Sequence, residues 1–235
     1  LHPRVRRQRQ MCIRDRVKTA ALTIVIVFFI GLAAAKLVAG LKNEKLKMVL
    51  DGIFTLPLVL PPTVAGFFLL YLFGIRRPIG AFFVEYFGVK IAFSWGATVL
   101  AAVVISFPLM YRSARGALEQ VDENLIFAAR TLGFSEWRIF WKVMFPAALP
   151  GIAGGGILAF ARGLGEFGAT AMIAGNIAGK TRTLPLAVYS AVAAGDMDTA
   201  YKYVMIILLV SFLVVVLMNY FTAKERTYGK RGKKA

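Results

Sequence analysis

The sequence is poor in the residues from which most catalytic and metal sites are built. Its 235 residues include one cysteine and one histidine, and both, Cys12 and His2, lie among the first sixteen positions. A disulfide needs two cysteines, and zinc sites and histidine-based triads need several Cys or His side chains. We therefore expect no disulfide, no metal site and no catalytic residue in this chain.

Charge is also scarce, while apolar residues are abundant. Only 17% of the residues are charged and 58% are hydrophobic, and the mean hydropathy is +0.67. The apolar share of a soluble domain is closer to about half. The composition therefore favours a membrane protein.

Long uncharged windows predict the membrane spans. A helix needs about 20 mostly apolar residues to cross a bilayer, and windows that meet or nearly meet this requirement are residues 19–35, 53–75, 91–111 and 203–223. Lys36 can extend the first window by reaching the headgroups. The window 143–179 contains Arg162 and Glu166, while residues 183–195 are short enough for a re-entrant or interfacial helix. The sequence predicts an all-α polytopic membrane protein with five to six transmembrane helices.

The basic residues predict the orientation. If residues 112–148 form a cytoplasmic loop, that side holds most of the Lys and Arg side chains, including a basic tail at 224–235. The opposite side holds fewer, among them Arg76, Arg77, Lys90, Lys180 and Arg182. The positive-inside rule favours this arrangement, with a cytoplasmic carboxy terminus. The sequence pI of about 10.4 then reflects basic inner loops that face anionic lipid, and we expect no nucleic-acid partner.

Residues 1–16, LHPRVRRQRQMCIRDR, contradict this orientation. They carry six Arg on the predicted outer side, and the string MCIRDR resembles a translated sequencing-adapter artefact. We interpret the segment as non-native and exclude it from fold reasoning. The alternative is a genuine basic tail.

An apparent nucleotide-binding motif lies at residues 174–181, AGNIAGKT. A phosphate-binding loop works when a buried strand precedes it and a helix follows it. Here an apolar helix precedes the motif and TRTLP follows it, so we interpret the match as a coincidence. Lys180 and Arg182 then belong either to a solvated turn or to a site that attracts an anion or an extracytoplasmic partner.

The predicted cytoplasmic loop carries two amphipathic helices. Apolar residues recur at helical spacing from Leu118, Gly133 ends the first helix, and Ser135 is a reasonable N-cap for a second helix that carries Trp137. Two such helices fit a groove on a soluble partner, and they also fit the surface of a bilayer. The pattern by itself leaves both alternatives open.

The same loop resembles a known signature. AARTLG, nine residues and then VMFP resemble the EAA loop of ABC-transporter permeases, although Phe127 stands where that family usually has Glu. The resemblance implies that the loop docks an ATPase. The implied docking residues are Ala128, Ala129, Gly133, Phe134, Glu136 and Trp137.

Within these permeases the sequence is similar to molybdate permease subunits from about residue 17 to 222. The similarity rests on LPLVLPPTVAGFFLL, AFSWGATVLAAVVISFPLM, LAFARGLGEFGAT and TRTLPLAVY. Sulfate permeases share the LGEFGA-type segment, so molybdate, tungstate and sulfate all remain possible substrates. Residues 17–223 are then the permease domain of a bacterial inner-membrane protein.

The resemblance also implies partners and a mechanism. Two copies of the chain form a membrane core, two cytoplasmic ABC ATPases dock on it, and a periplasmic or lipid-anchored protein delivers the oxyanion. ATP and magnesium are expected in the ATPase, so this chain binds no cofactor and is not an enzyme. Closure of the ATPases would switch the cavity between inward-open and outward-open by rigid-body motion.

Six polar or helix-breaking residues are candidates for the translocation path. They are Pro61, Pro62, Thr63, Arg162, Glu166 and Thr170. The prolines are expected to bend the second span, and Thr63 either donates to an oxyanion or satisfies a freed carbonyl.

Arg162 and Glu166 are four residues apart, and we expect them to pair on one helix face as a structural clasp or an anion ligand. Gly151, Gly155, Ala159 and Gly163 form a stripe suited to close helix packing. A secondary transporter would tend to show internal repeats, which the sequence lacks.

Overall fold

The computed structural model describes residues 3–232, and the side chains of residues 19–213, 215 and 216. This part of the chain is helical and contains no β-strand. The side chains of the proposed foreign segment, residues 1–16, and of the basic tail, residues 224–235, lie outside the described ones. The helices are α1 (Pro3–Ala39), α2 (Glu44–Val59), α3 (Pro62–Phe73), α4 (Pro78–Phe87), α5 (Trp95–Glu119), α6 (Glu123–Thr131), α7 (Glu136–Ile139), α8 (Phe145–Leu164), α9 (Gly168–Ile173), α10 (Leu184–Ala193) and α11 (Met197–Gly232), with a π-helical turn at Phe140–Met144.

The fold confirms the all-α membrane protein. Among the described residues, three helices are long and apolar enough to cross a bilayer, or four if the bent pair α2 and α3 forms one span. Helix α11 contains the predicted window 203–223, but many of its side chains lie outside the described ones. The count of five to six spans therefore stays a prediction.

The second predicted span is not one helix. Helix α2 ends at Val59 and α3 begins at Pro62, with a bend of 112° between them. Pro61 has φ −52° and ψ 134°, the extended conformation that a following proline imposes. Pro62 then takes the first position of α3, where a missing N–H costs nothing. The prolines therefore end one helix and start another, instead of bending a continuous one.

The window 143–179 also breaks. Helix α8 ends at Leu164 and the short α9 begins at Gly168, so Glu166 lies in the connection between two helices. Helix α10, at Leu184–Ala193, has 10 residues. At about 1.5 Å per residue it reaches roughly half of a hydrocarbon core about 30 Å thick. This length agrees with the expected re-entrant or interfacial helix.

Residue contacts divide the chain into two compact units. The first contains α1 up to Ile26, Pro57–Ser106 and Phe160–Leu213. Its core consists largely of alanines from α3, α5 and α9. A Cβ on Gly66 would lie 2.6 Å from the Cα of Ala169, so α3 and α9 touch through their backbones. Small residues permit this approach in the way that is typical of membrane helices.

The second unit contains Val27–Leu56, Phe107–Ala159 and the chain from Val214. Within it, α8 packs on α5 through the predicted small-residue stripe. A Cβ on Gly151 would lie 2.6 Å from the Cβ of Ala117, and one on Gly155 would collide with Ser113. The stripe therefore fulfils the packing role expected from the sequence.

Candidate coupling surface and translocation path

The first helix of the predicted docking loop is α6, and both of its ends are capped. Asp122 accepts a hydrogen bond from the backbone N–H of Asn124 at 2.9 Å. At the other end Gly133 has φ +75°. The N–H of Gly133 donates to the carbonyl of Arg130 at 2.9 Å, and that of Phe134 to the carbonyl of Ala129 at 3.1 Å. This is a Schellman ending, in which a left-handed residue favours glycine, so the predicted break at Gly133 is confirmed.

The second helix of the loop is continuous with a membrane span. Ser135 occupies the N-cap position, although its side chain makes no cap hydrogen bond. From Glu136 the chain passes through α7 and the π-helical turn into α8, which gives 29 helical residues up to Leu164. The predicted short helix is therefore the first part of a long one. Helices α7 and α8 therefore belong to one continuous helix.

The docking loop exposes an apolar surface. Leu132 is 74% exposed, Trp137 66% and Phe127 54%. Of the residues implied by the EAA resemblance, Ala128, Gly133, Glu136 and Trp137 are exposed, Phe134 is half-buried and Ala129 is buried. Ala129 therefore packs inward. Leu132 and Phe127 are exposed, but they are not among the docking residues that the resemblance implied. We call Phe127, Ala128, Leu132, Gly133 and Trp137 the coupling surface.

An ion pair closes the turn between α6 and α7. The Nε of Arg130 donates to Glu136 at 2.8 Å, and this hydrogen bond raises the pKa of Arg130 above its ordinary value. The Arg130 guanidinium also lies 5.8 Å from the centre of the Phe127 ring. Because Phe127 replaces the usual Glu, the exposed ring adds apolar area where the family usually carries a negative charge.

Lys36, near the end of α1, contacts the loop. Its Nζ lies 4.4 Å from the centre of the Trp137 ring and 4.0 Å from the centre of the Phe140 ring. These are cation–π distances. From the sequence we expect this ammonium to reach the lipid headgroups; in the structure it lies over two aromatic rings. The contact joins α1 to the start of the α7–α8 helix.

A charged network that the sequence analysis missed joins α2 to α5. Arg115 pairs with Asp51 and, at 3.0 Å, with Glu119, which also pairs with Lys47 at 3.0 Å. The fully buried Tyr111 donates to Asp51 at 2.9 Å. The sequence predicts Arg115 in a loop because the apolar window ends at residue 111, but α5 continues to Glu119. The four-residue spacing of Arg115 and Glu119 was the available signal.

The first unit brings most of the path candidates together. A Cβ on Gly168 would lie 3.0 Å from Pro62 and 3.1 Å from the backbone nitrogen of Thr63, so the start of α3 meets the start of α9. Thr170, on α9, is 1% exposed, whereas Pro61 and Thr63 are exposed. Thr63 lies in the first turn of α3, and its expected role toward a freed carbonyl or an oxyanion stays a prediction.

Arg162 and Glu166 pair as predicted, but not on one helix face. The Nη1 of Arg162 donates to Oε2 of Glu166 at 3.1 Å. Because Glu166 lies beyond the end of α8, its Oε1 is free to accept the backbone N–H of Ala169 at 2.7 Å. Glu166 is 3% exposed. Its carboxylate therefore ties the end of α8 to the start of α9, and both of its oxygens are engaged.

The segment that resembled a phosphate-binding loop is a compact turn between α9 and α10. The carbonyl of Ile177 accepts the N–H groups of Lys180, Thr181 and Arg182 at 2.9 to 3.1 Å. The side chain of Arg182 donates to Asn176 at 2.8 Å. No strand precedes the turn in the described part of the chain, which agrees with a coincidental motif.

Comparison with known proteins identifies the family. Residues 27–227 match the family described as binding-protein-dependent transport system inner membrane component. The chain belongs to this family. The permease is 46% identical over 178 residues to the molybdenum transport system permease protein ModB of Escherichia coli K12, an alignment that covers 76% of this chain and 78% of ModB.

Two further relatives extend the likeness. The putative molybdenum transport system permease protein YvgM of Bacillus subtilis is 39% identical, with 90% of this chain and 91% of YvgM covered. ModB of Mycobacterium tuberculosis is 42% identical, with 85% and 75% covered. Both relatives are named as transport permeases.

Solved structures share the fold. A chain of the MetNI methionine ABC transporter superposes with a TM-score of 0.74 at 18% identity, covering 95% of the permease and 99% of that chain. A bacterial ABC transporter involved in alginate import gives a TM-score of 0.75 at 12% identity, covering 92% and 79%. The helical arrangement is therefore that of an ABC-transporter permease.

Proposed function

We propose that this permease is the membrane subunit of an ATP-driven importer for a tetrahedral oxyanion, and that molybdate is its main substrate. The observation that carries the proposal is the 46% identity to a molybdenum transport permease over 76% of the chain. Tungstate has the same shape and charge and is expected to compete. Sulfate is the alternative substrate, because the LGEFGA segment at residues 164–169 also resembles sulfate permeases.

The coupling surface is the proposed docking site for a separate ABC ATPase. Exposed apolar side chains next to a capped turn suit a groove on a soluble protein. ATP and magnesium would bind to that ATPase, and this chain would bind neither. We further propose a homodimer of the permease, two ATPase subunits and an extracytoplasmic oxyanion-binding protein, with the carboxy terminus in the cytoplasm.

We propose that the continuous helix Glu136–Leu164 transmits the movement of the ATPases to the membrane span. When the ATPases close, they would move α6 and α7, and the unbroken helix Glu136–Leu164 would carry that movement along the span. Lys36 would couple α1 to the same movement through the two rings beneath its ammonium. Rigid packing transmits such displacements because close-packed elements do not deform continuously.

The path residues divide into two proposed roles. Arg162 and Glu166 act as a clasp, because both carboxylate oxygens already have partners. Thr63 and Thr170 are the hydroxyl candidates for contact with the anion, and Pro61 and Pro62 set the direction in which α3 leaves the break. Hydroxyl groups release an anion more readily than fixed charges do.

Uptake by proteoliposomes tests the proposal. Vesicles that contain the permease, its ATPase and its binding protein should accumulate radiolabelled molybdate only with ATP, and tungstate should compete better than sulfate. Accumulation that is driven by an ion gradient without ATP would refute the assignment. A preference for sulfate would show that molybdate is not the main substrate, and it would leave the assignment as an ATP-driven oxyanion importer unchanged.

Gly133→Arg tests the docking role of the coupling surface. Gly195→Arg is a matched control, because Gly133 and Gly195 have φ of +75° and +74° and both have open space around the Cβ position. The two variants therefore carry the same backbone strain. We expect Gly133→Arg to lose ATPase binding and uptake while Gly195→Arg retains both. Equal behaviour of the two variants would contradict docking at Gly133.

A further inference from the structure

A cavity within the first unit is lined by threonine hydroxyls. Thr23 of α1, Thr98 of α5, Thr170 of α9, and Thr181 and Thr183 before α10 contribute to its wall, and its volume is about 60 Å³. A single water needs about 10–15 Å³ measured in this way. The space therefore fits a few waters or one small tetrahedral anion. We call it the hydroxyl cavity.

Two of these hydroxyls lack a partner. Thr23 is 3% exposed, and in the described part of the chain the buried hydroxyl oxygens of Thr23 and Thr183 have no hydrogen-bond partner. The hydroxyl oxygen of Ser106 also has no hydrogen-bond partner in the described part of the chain. Ser106 and Thr23 both lie next to Gly163, because a Cβ on Gly163 would be 2.9 Å from the Ser106 Oγ and 3.7 Å from the Thr23 Cγ2. Buried donors without partners are rare in folded proteins, so these hydroxyls indicate that the cavity has an occupant, either water or a ligand.

The charges around the hydroxyl cavity favour an anion. Lys180 and Arg182 line it, and Lys180 is exposed, which places an ammonium where an approaching anion would meet it. Glu166 also lines the cavity, but its carboxylate is compensated by Arg162 and by the Ala169 N–H. Positive groups at the rim raise the local concentration of an anion and its rate of entry.

Thr98 and Thr181 have defined hydrogen bonds. Thr98 donates to the carbonyl of Trp95 at 2.6 Å, and Thr181 donates to that of Gly175 at 3.3 Å while it accepts the N–H of Ile177 at 3.0 Å. These hydroxyls already use their single protons. Among the threonines that line the cavity in the described part of the chain, Thr23 and Thr183 are the ones whose buried hydroxyl oxygens have no partner, so we take these two as donors to a ligand, beside Thr170.

We propose that the hydroxyl cavity is an oxyanion-binding site contained within one permease subunit. The inference rests on the proposed transport function, because it takes the transported molybdate as the occupant. Thr23 and Thr183 donate to the oxyanion, and Lys180 attracts it to the entrance. Since no fixed charge inside the cavity is left uncompensated, the anion is held by hydroxyls and is released readily. In the proposed orientation this site opens on the extracytoplasmic side.

Equilibrium binding of radiolabelled molybdate tests the site. The sample is the permease–ATPase complex in nanodiscs, without nucleotide and without the oxyanion-binding protein. Thr23→Val removes the hydroxyl at nearly constant shape, and we expect the Kd to rise about tenfold, the loss typical of a hydrogen bond to a charged group. Thr23→Ser retains the hydroxyl and should bind like the wild type.

Two further variants make the test independent of any one substitution. Thr183→Val probes the same site from a different segment and should also weaken binding. Thr55→Val is the matched control, because the Thr55 hydroxyl in α2 already donates to the carbonyl of Asp51 at 2.6 Å. It should leave the Kd unchanged. Lys180→Gln should slow association and reduce its dependence on salt.

The outcomes separate this inference from the transport function. Unchanged binding by both valine variants would overturn it and leave water as the occupant. A wild-type complex that imports molybdate but shows no saturable binding would overturn it as well. If the wild type imports no oxyanion, the proposed function itself fails, and that result is read from the uptake assay.

Discussion

Replacing Lys36 tests whether α1 is joined to the coupling surface. Lys36→Met keeps a long unbranched side chain but removes the ammonium that lies 4.4 and 4.0 Å from the Trp137 and Phe140 ring centres. Cation–π contacts contribute about 0.5–1 kcal/mol at exposed sites and about 2 kcal/mol when desolvated. Trp137 is 66% exposed and Phe140 3%. We therefore expect the Phe140 contact to contribute about 1–2 kcal/mol and the Trp137 contact less.

A double-mutant cycle measures that contact. Lys36→Met, Phe140→Leu and the double variant are unfolded in detergent, and the packing loss caused by Phe140→Leu cancels because it occurs in both arms of the cycle. Lys42→Met controls for the loss of a nearby exposed charge. Additivity within about 0.5 kcal/mol would refute the contact.

The functional readout of Lys36→Met is the amount of molybdate imported per ATP hydrolysed, which should fall if α1 moves with α7. Lys42→Met should not change it. An unchanged ratio together with a positive coupling energy would mean that the contact stabilises the fold without transmitting movement.

Two other variants test the packing of α5. Arg115→Met removes the cation that Asp51 and Glu119 share. Because the site is partly exposed, we expect the free energy of unfolding in detergent to fall by about 1–3 kcal/mol. An unchanged unfolding midpoint would show that the network adds no stability. The valine side chain introduced by Gly155→Val should collide with Ser113, because even a Cβ does not fit there. Overpacking costs about 1–3 kcal/mol or more, so we expect a lower yield of folded protein. The matched control is Gly154→Val, whose Cβ position has nothing within 4 Å; equal yields of the two variants would argue against the α5–α8 contact.

The sequence by itself determined the class of the fold and the ending of α6. Long apolar windows require helices in a bilayer, because each helix satisfies its own backbone hydrogen bonds. Gly133 ended α6 as predicted, since φ +75° is a conformation that residues with a Cβ avoid. The pair formed by Arg162 and Glu166 was also predictable, because four-residue spacing brings side chains together even at the end of a helix.

Only the tertiary structure decided where the helices are interrupted and which side chains meet across them. Hydropathy measures the transfer of side chains into lipid and does not detect a break, so residues 53–75 and 143–179 each had the composition of one span although both are divided. The contact of Lys36 with two rings and the convergence of threonines from four segments on one cavity involve residues far apart in the chain. Such contacts depend on how the helices pack. The pattern of residues along one chain segment does not show which distant segment will pack against it.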